Sequence, residues 1–462
     1  MKKPLFLLLL PLLAVPASAQ QGGISSSMLE NLRAMGQLNT AERALRNGLA
    51  TNDLRTFALN QEHQRELDTH FSHTVLSKGI TDQKSSGRCW LFTGLNVLRN
   101  QMMARHHLQT EMEFSQVYLF FFDQLEKSNL FLQAVIDTRK KPFDDKTVEW
   151  LFKHPISDGG TFTGVADLIT KYGLVPKGLM PETYASNNTA RLRGLLERKL
   201  REDGLRLRDS GQSLSALNTM KEQMLGEIYH ALVMAYGEPP TRFDWAPKDA
   251  DGKQLTPLRT FTPQQFYQEM LGENLADDYV MLMNDPTRPY WKTYEIEYDR
   301  HTYDGHNWTY LNLPMTEIKQ AAINSISDST MMYMSCDVAK ELDSSRGMLD
   351  IGNYDYSSIL GLSFGMDKCQ RIQTFDSGSS HAMTLKAVDL DAEGKSLKWE
   401  VENSWGSTSG YKGHLIMTDK WLDEYLFRLV VNKKYLSEKI LKASQLKPQL
   451  LPCWDYMFAQ EE

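Results

Sequence analysis

The 462-residue chain predicts an α+β protein of two lobes, a helical first half and a mainly antiparallel β second half. Two observations carry this. Up to Tyr236 apolar residues recur at helical spacing, while from Tyr290 onward short runs alternate apolar and polar side chains. The length allows two to three domains and a large core. The formal charge is −7, from 51 basic and 58 acidic residues, and becomes −9 without Lys2 and Lys3. Such acidity argues against nucleic acid as a partner, because phosphate binding needs a basic face.

Met1–Ala19 has the form of a secretory signal peptide. Lys2-Lys3 is followed by apolar Pro4–Val15 and the small-residue cleavage box Ala17-Ser18-Ala19. The apolar stretch is too short to span a bilayer. A secreted or periplasmic protein is expected, with no membrane contact after signal removal. Residues 20–60 form an N-terminal helical segment with Met28, Leu29, Leu32 and Met35 on one face, either a removable pro-peptide or a permanently packed segment.

Residues 61–188 form the helical lobe. THFSH (Thr69–His73) holds two histidines but lacks a second ligand pair, so surface histidines are expected and no metal. Leu91, Leu95, Leu98 and Met102 mark one helix. Ser115 caps a second, running through Val117, Tyr118, Phe121, Phe122 and Leu125. Asp158-Gly159-Gly160 precedes a third, Val165–Tyr172. Residues 189–289 read as an inserted helical subdomain. Its charged Thr189–Tyr236 stretch is punctuated by Gly204 and Gly211, and Glu197 with Arg201 forms an i,i+4 pair on an exposed face. Residues 290–436 form the β lobe, with strands at Tyr294–Tyr298, Met331–Val338, His381–Leu390, Leu397–Glu402, His414–Thr418 and Phe427–Val431. Residues 437–462 are a C-terminal helix and arm.

The chemistry centres on Cys89. Gly87-Arg88 reads as a turn, so Cys89 opens its helix, where unpaired backbone N–H groups favour thiolate over thiol. A lone cysteine in an apolar helix is ordinarily structural, and the reading turns on whether a base lies elsewhere. His381 opens an alternating strand, and Asn403 follows 22 residues later in VENSWG. Cys, distant His, then Asn is the order of a thiol peptidase site whose parts meet only in the fold. His381 would take the thiol proton, Asn403 would orient the ring, and Trp405 would shield their bond from water. Gln83 would join the Cys89 N–H in holding an oxyanion. With Cys89 as nucleophile, at most one disulfide can form among Cys336, Cys369 and Cys453. No cofactor is needed. A rival, Gly361-Leu362-Ser363-Phe364-Gly365, matches G-x-S-x-G, but that motif needs a strand before it and a helix after it. YDYSSIL precedes it, and Met366-Asp367-Lys368 lacks a strong helix start.

QKSSGRCWLF, SDGGTFTGVADLITKYGLVPK, SHAMTLKAVDL and VENSWG together resemble the bleomycin hydrolase / aminopeptidase C branch of papain-like cysteine peptidases. YLFFFDQLEK, YMSCDVAK and LPCWDYM extend the resemblance from about Ile24 to Met457. It implies a papain-like two-lobed fold with an inserted helical subdomain, peptide substrates, removal of amino-terminal residues and a homohexamer. Gly159 and Gly160 would then pair with an extended peptide. The tail would lie in the cleft, so Glu462 is a candidate for the substrate's amine, and Trp405 joins the candidate substrate-binding residues. Ser86 stands where secreted relatives carry a cysteine. Thr161-Phe162 replaces the Gln-Trp typical of the closer family, and Phe458–Glu462 extend beyond its tail. Two alternatives remain: an endopeptidase with an open cleft, and a non-catalytic oligomeric binding shell.

Overall fold

The computed structural model describes residues 22–63, 68–108 and 111–458; the signal-like segment 1–19 and Glu462 lie outside them. Two units are distinguished. One comprises residues up to Leu59 with Asp355–Leu362, the other Asn60–Tyr354 with Ser363–Glu462.

In the first unit, polar side chains start each helix. Ser25 caps α1 (Ser26–Met35), Asn39 and Glu42 form a capping box on α2 (Thr40–Leu49), and Asp53 caps α3 (Leu54–Ala58). Neither α1 nor α2 buries a residue. Met28, Leu29, Leu32 and Met35 are all exposed, Met35 by 80%. Among the described residues of this unit, nothing covers that face.

The helical lobe of the second unit contains α4 (Cys89–Arg105), α5 (Gln116–Thr138), α6 (Lys146–Lys153) and α7 (Phe162–Tyr172). Ser115 accepts a hydrogen bond from the Tyr118 N–H, as a cap should. α4 differs from an amphipathic surface helix: every residue from Cys89 to Arg99 is buried, because α7 packs on one side and the sheet on the other. Next come α8 (Tyr184–Asn187), α9 (Ala190–Asp209) and α10 (Leu214–Tyr236). Gly211, at φ +63°, breaks the charged stretch between α9 and α10. Gly204 breaks nothing. It lies inside α9, where a Cβ would come within 3.1 Å of the Phe131 and Phe152 rings.

The strands are β1 (His73–Thr74), β2 (Phe243–Trp245), β3 (Arg259–Phe261), β4 (Tyr279–Met283), β5 (Lys292–Ile296), β6 (Thr309–Asn312) and β7 (Met332–Cys336). They continue with β8 (Leu342–Asp343), β9 (Met348–Leu349), β10 (His381–Leu390), β11 (Ser396–Glu402), β12 (His414–Thr418), β13 (Leu426–Asn432) and β14 (Gln449–Leu451). All but β2 and β3 join one sheet, in the order β14-β5-β6-β4-β13-β7-β10-β11-β12-β9-β8, with β1 on β10. Most neighbours are antiparallel; β4–β6, β5–β14 and β9–β12 are parallel. β4 belongs to this sheet although the sequence reading counted it with the helical insertion. A five-residue apolar strand carries no period that separates it from a helix segment.

The serine motif lacks its scaffold. A helix, Tyr356–Leu360, precedes it and ends at Gly361 with φ +65°. Asp367 does start a helix, Lys368–Gln373, through a capping box with Gln370, against the weak start expected there. None of the four cysteines is in a disulfide.

Candidate active site

Three residues of the candidate site sit on or beside one hairpin. β10 and β11 pair antiparallel with Thr384 opposite Glu402. Continuing that register past the strand ends carries His381 towards residues 403–405. There His381 Nε2 meets Asn403 Oδ1 at 2.9 Å, and the Trp405 ring lies 4.8 Å from the imidazole. Both His381 and Asn403 are buried. The Asn403 N–H donates to the Gly413 carbonyl at 3.0 Å.

The segment leading to Cys89 runs beside this hairpin. The Gln83 N–H donates to the Ser404 carbonyl at 2.8 Å, the Gly406 N–H to the Thr81 carbonyl at 3.0 Å, and Asp82 bridges Trp405. The Gln83 side chain is fixed at both ends. Its Oε1 accepts from Ser404 Oγ at 2.6 Å and its Nε2 donates to the Ser86 carbonyl at 2.8 Å. Ser404 also donates its N–H to Asn403 Oδ1 at 2.8 Å. Gln83, Asn403, Trp405 and His381 are thus one bonded set, stitched by Ser86 to the turn before Cys89. Ser404 went unnoticed in the sequence because a serine between Asn and Trp has no pattern of its own.

Cys89 is the first residue of α4 and is buried. The preceding Arg88 caps nothing with its side chain, so the first N–H groups of the helix keep their polarity at the sulfur. Instead Arg88 is buried whole. It donates to Ser86 Oγ at 2.9 Å, pairs with Glu182 at 2.9 Å and lies 5.1 Å over the Phe92 ring. Further along α4, Arg99 pairs with Glu402 at 3.0 Å, both buried, tying the helix that opens with Cys89 to the strand that leads to Asn403.

The Gly159–Gly160 loop is explained in part from inside the protein. A Cβ on Gly160 would fall 2.2 Å from His301 Cε1, and one on Gly164 would fall 2.3 Å from His301 Cδ2. The two glycines, four apart, make room for a histidine 140 residues downstream, a need with no local signal. His301 Nδ1 bonds Asp123 Oδ1 at 2.5 Å, and Lys127 pairs with Asp123 Oδ2 at 3.0 Å. Burial, the largest influence, would raise the Asp123 carboxyl, but Lys127 and His301 together outweigh it and hold the group below its usual range. Burial, with Lys127 nearby, pushes His301 down, so its ring is neutral. Glu462, the remaining candidate, lies outside the described residues. The arm is described to Phe458, which stacks edge-on against Trp150 at 5.0 Å. Phe458, Trp150, Gly159, Gly160 and His301 line one pocket of about 40 Å³.

Residues 23–458 match the model of the Peptidase C1-like family. The chain is 36% identical over 439 residues to the aminopeptidase C of Streptococcus thermophilus, covering 94% of this chain and 98% of that protein. It is 37% identical over 426 residues to human bleomycin hydrolase, covering 89% and 93%. The crystal structure of PepW from Lactobacillus rhamnosis superposes with a TM-score of 0.90 at 34% identity, across 96% of this chain and 100% of that one. The chain belongs to the Peptidase C1-like family and is a cysteine peptidase with the papain-like α+β fold.

Proposed function

We propose that the protein is a cysteine aminopeptidase in which Cys89 attacks the first peptide carbonyl and His381 moves the protons. The observation that carries this is the His381 Nε2–Asn403 Oδ1 bond, in a set stitched to the turn before Cys89. An amide oxygen only accepts, so Nε2 holds the proton and Nδ1 is left to act as base toward a thiol. The start of α4 favours the thiolate. As the thiolate adds to the carbonyl, the Cys89 N–H and the second Gln83 Nε2–H stabilise the oxyanion. His381 then protonates the leaving amine. Water attacks the thioester with His381 as base, releasing the amino acid and restoring the thiol.

Removal of single amino-terminal residues follows if residues beyond Phe458 extend into the cleft, a reading supported by Phe458 sharing a pocket with Gly159 and Gly160. An endopeptidase is the alternative. Cys89→Ala is expected to lower hydrolysis of aminoacyl amides by ~10³-fold or more, as loss of a nucleophile does. Amides with a blocked amino end should resist the wild type; equal cleavage of free and blocked substrates would favour the endopeptidase. Iodoacetamide at neutral pH should label Cys89 faster than a free thiol, whereas a binding shell would show no such excess. The 1–19 segment supports export to the periplasm or beyond, tested by sequencing the exported chain, which should begin at Gln20.

A further inference from the structure

The sequence of the 157–161 loop invites substrate pairing at both glycines, yet the core claims much of its backbone. Lys127 Nζ, on α5, donates to the Gly159 carbonyl at 2.6 Å and to the Ser157 carbonyl at 3.1 Å. Gln124 Nε2, also on α5, donates to the Ser157 carbonyl at 3.0 Å. Trp90 Nε1, next to the nucleophile, donates to the Asp158 carbonyl at 2.8 Å. The Thr161 N–H donates to His301 Nε2 at 3.4 Å. Side chains therefore hold the carbonyls of 157, 158 and 159 and the N–H of 161.

Resembling a catalytic pair, His301 and Asp123 are not a second proton relay. With Nδ1–H given to Asp123, Nε2 is an acceptor already used by the Thr161 N–H, and the side chain is 3% exposed. It lies 4.5 Å from the Trp90 ring, wedged between that ring and the two glycines. Lys127 and Asp123 cancel each other's charge, so the cluster can be buried without a net ion. What it presents is a rigid frame of donors and acceptors matched to a single loop conformation.

We propose that His301, oriented by Asp123, and Lys127 are positioning residues that clamp the 157–161 backbone from below and so hold the loop in the one conformation that can meet an extended peptide. This rests on the peptidase reading above. Loosening the clamp lets the loop drift while Cys89, His381 and Asn403 keep their own bonds, so ground-state binding suffers and the chemistry does not.

The test compares His301→Asn, which keeps a donor for Asp123 but has no acceptor in reach of Thr161, with Lys127→Met. Each is expected to raise KM for a tripeptide about tenfold while kcat stays within about threefold, the pattern of lost uniform binding. Iodoacetamide labelling of Cys89 should match the wild-type rate in both. Wild-type KM in both variants would overturn the proposal. So would a parallel fall in kcat and labelling, which would make the cluster a general prop of the fold. If Cys89→Ala abolishes turnover while both variants behave as wild type, only the clamp is lost; turnover surviving in Cys89→Ala removes the peptidase reading itself.

Discussion

Ser404 shows how much one side chain decides. Its Oγ holds Gln83 Oε1 at 2.6 Å and its N–H holds Asn403 Oδ1 at 2.8 Å, so it orients the proposed oxyanion donor while its backbone steadies the histidine's partner. Ser404→Ala keeps the backbone bond and frees the Gln83 amide to rotate. It should lower kcat about tenfold with KM nearly unchanged, less than the ~10²–10³ of deleting an oxyanion donor outright; steady-state kinetics on an aminoacyl amide measures this. His414 makes a prediction of a different kind. Burial and the Lys386 charge bring it down to about 4 from a reference of 6.5. Between those values the unfolded chain binds the extra proton and the folded chain does not. Stability is therefore complete above pH 6.5 and is lost as pH falls toward 4. Urea unfolding of His414→Gln should lose less stability between pH 7 and 4.5 than the wild type does. Residues of this class were only partly legible. Cys89, His381, Asn403 and Gln83 carry side chains whose chemistry announces itself, whereas Ser404, His301 and Lys127 are defined by partners far along the chain.

Among the elements, α4 and the β10–β11 hairpin carry the burden. The hairpin is local, and its register alone draws His381 and residues 403–405 together. Joining it to α4 requires long-range contacts, and the buried Arg99–Glu402 pair is one of these. Burial pushes the Glu402 carboxyl above its usual range despite Arg99. Arg99→Met would strand that carboxyl, and unfolding should show a loss of about 3–5 kcal/mol, as for other broken buried pairs. The double variant Arg99→Met with Glu402→Gln should recover much of it; equal losses in both would mean that packing, not charge, dominates the contact. The strands flanking the site were readable from alternation, and β10 and β12 occupy the residues expected. β4 was not, because apolar residues fill both of its faces, where it lies between β13 and β6.

For the whole molecule, the exposed apolar face of α1 is the feature least at home on an isolated chain. Met28, Leu29, Leu32 and Met35 lie on one helix, each at least 41% exposed. Apolar surface of this kind marks an interaction site. We propose that this face joins copies of the chain, in the homohexamer that the family resemblance implies. Sedimentation should give a species of several chains, and Leu29→Glu with Leu32→Glu should shift it to smaller ones while aminoacyl amide hydrolysis per chain persists; a wild-type monomer would remove the idea. Cysteines outside any disulfide fit a stability drawn from core burial rather than from cross-links.

By itself the sequence determined the fold class and the order of the lobes, and it pointed to the four groups proposed for the thiol chemistry, because spacing and side-chain reactivity are properties of the chain as written. Only the tertiary structure decided what supports them. It set Ser404 on Gln83, closed Arg99 on Glu402, and placed His301 in the space left by two glycines. Those choices depend on which distant segments become neighbours, and burial makes each polar group find its partner there or go without.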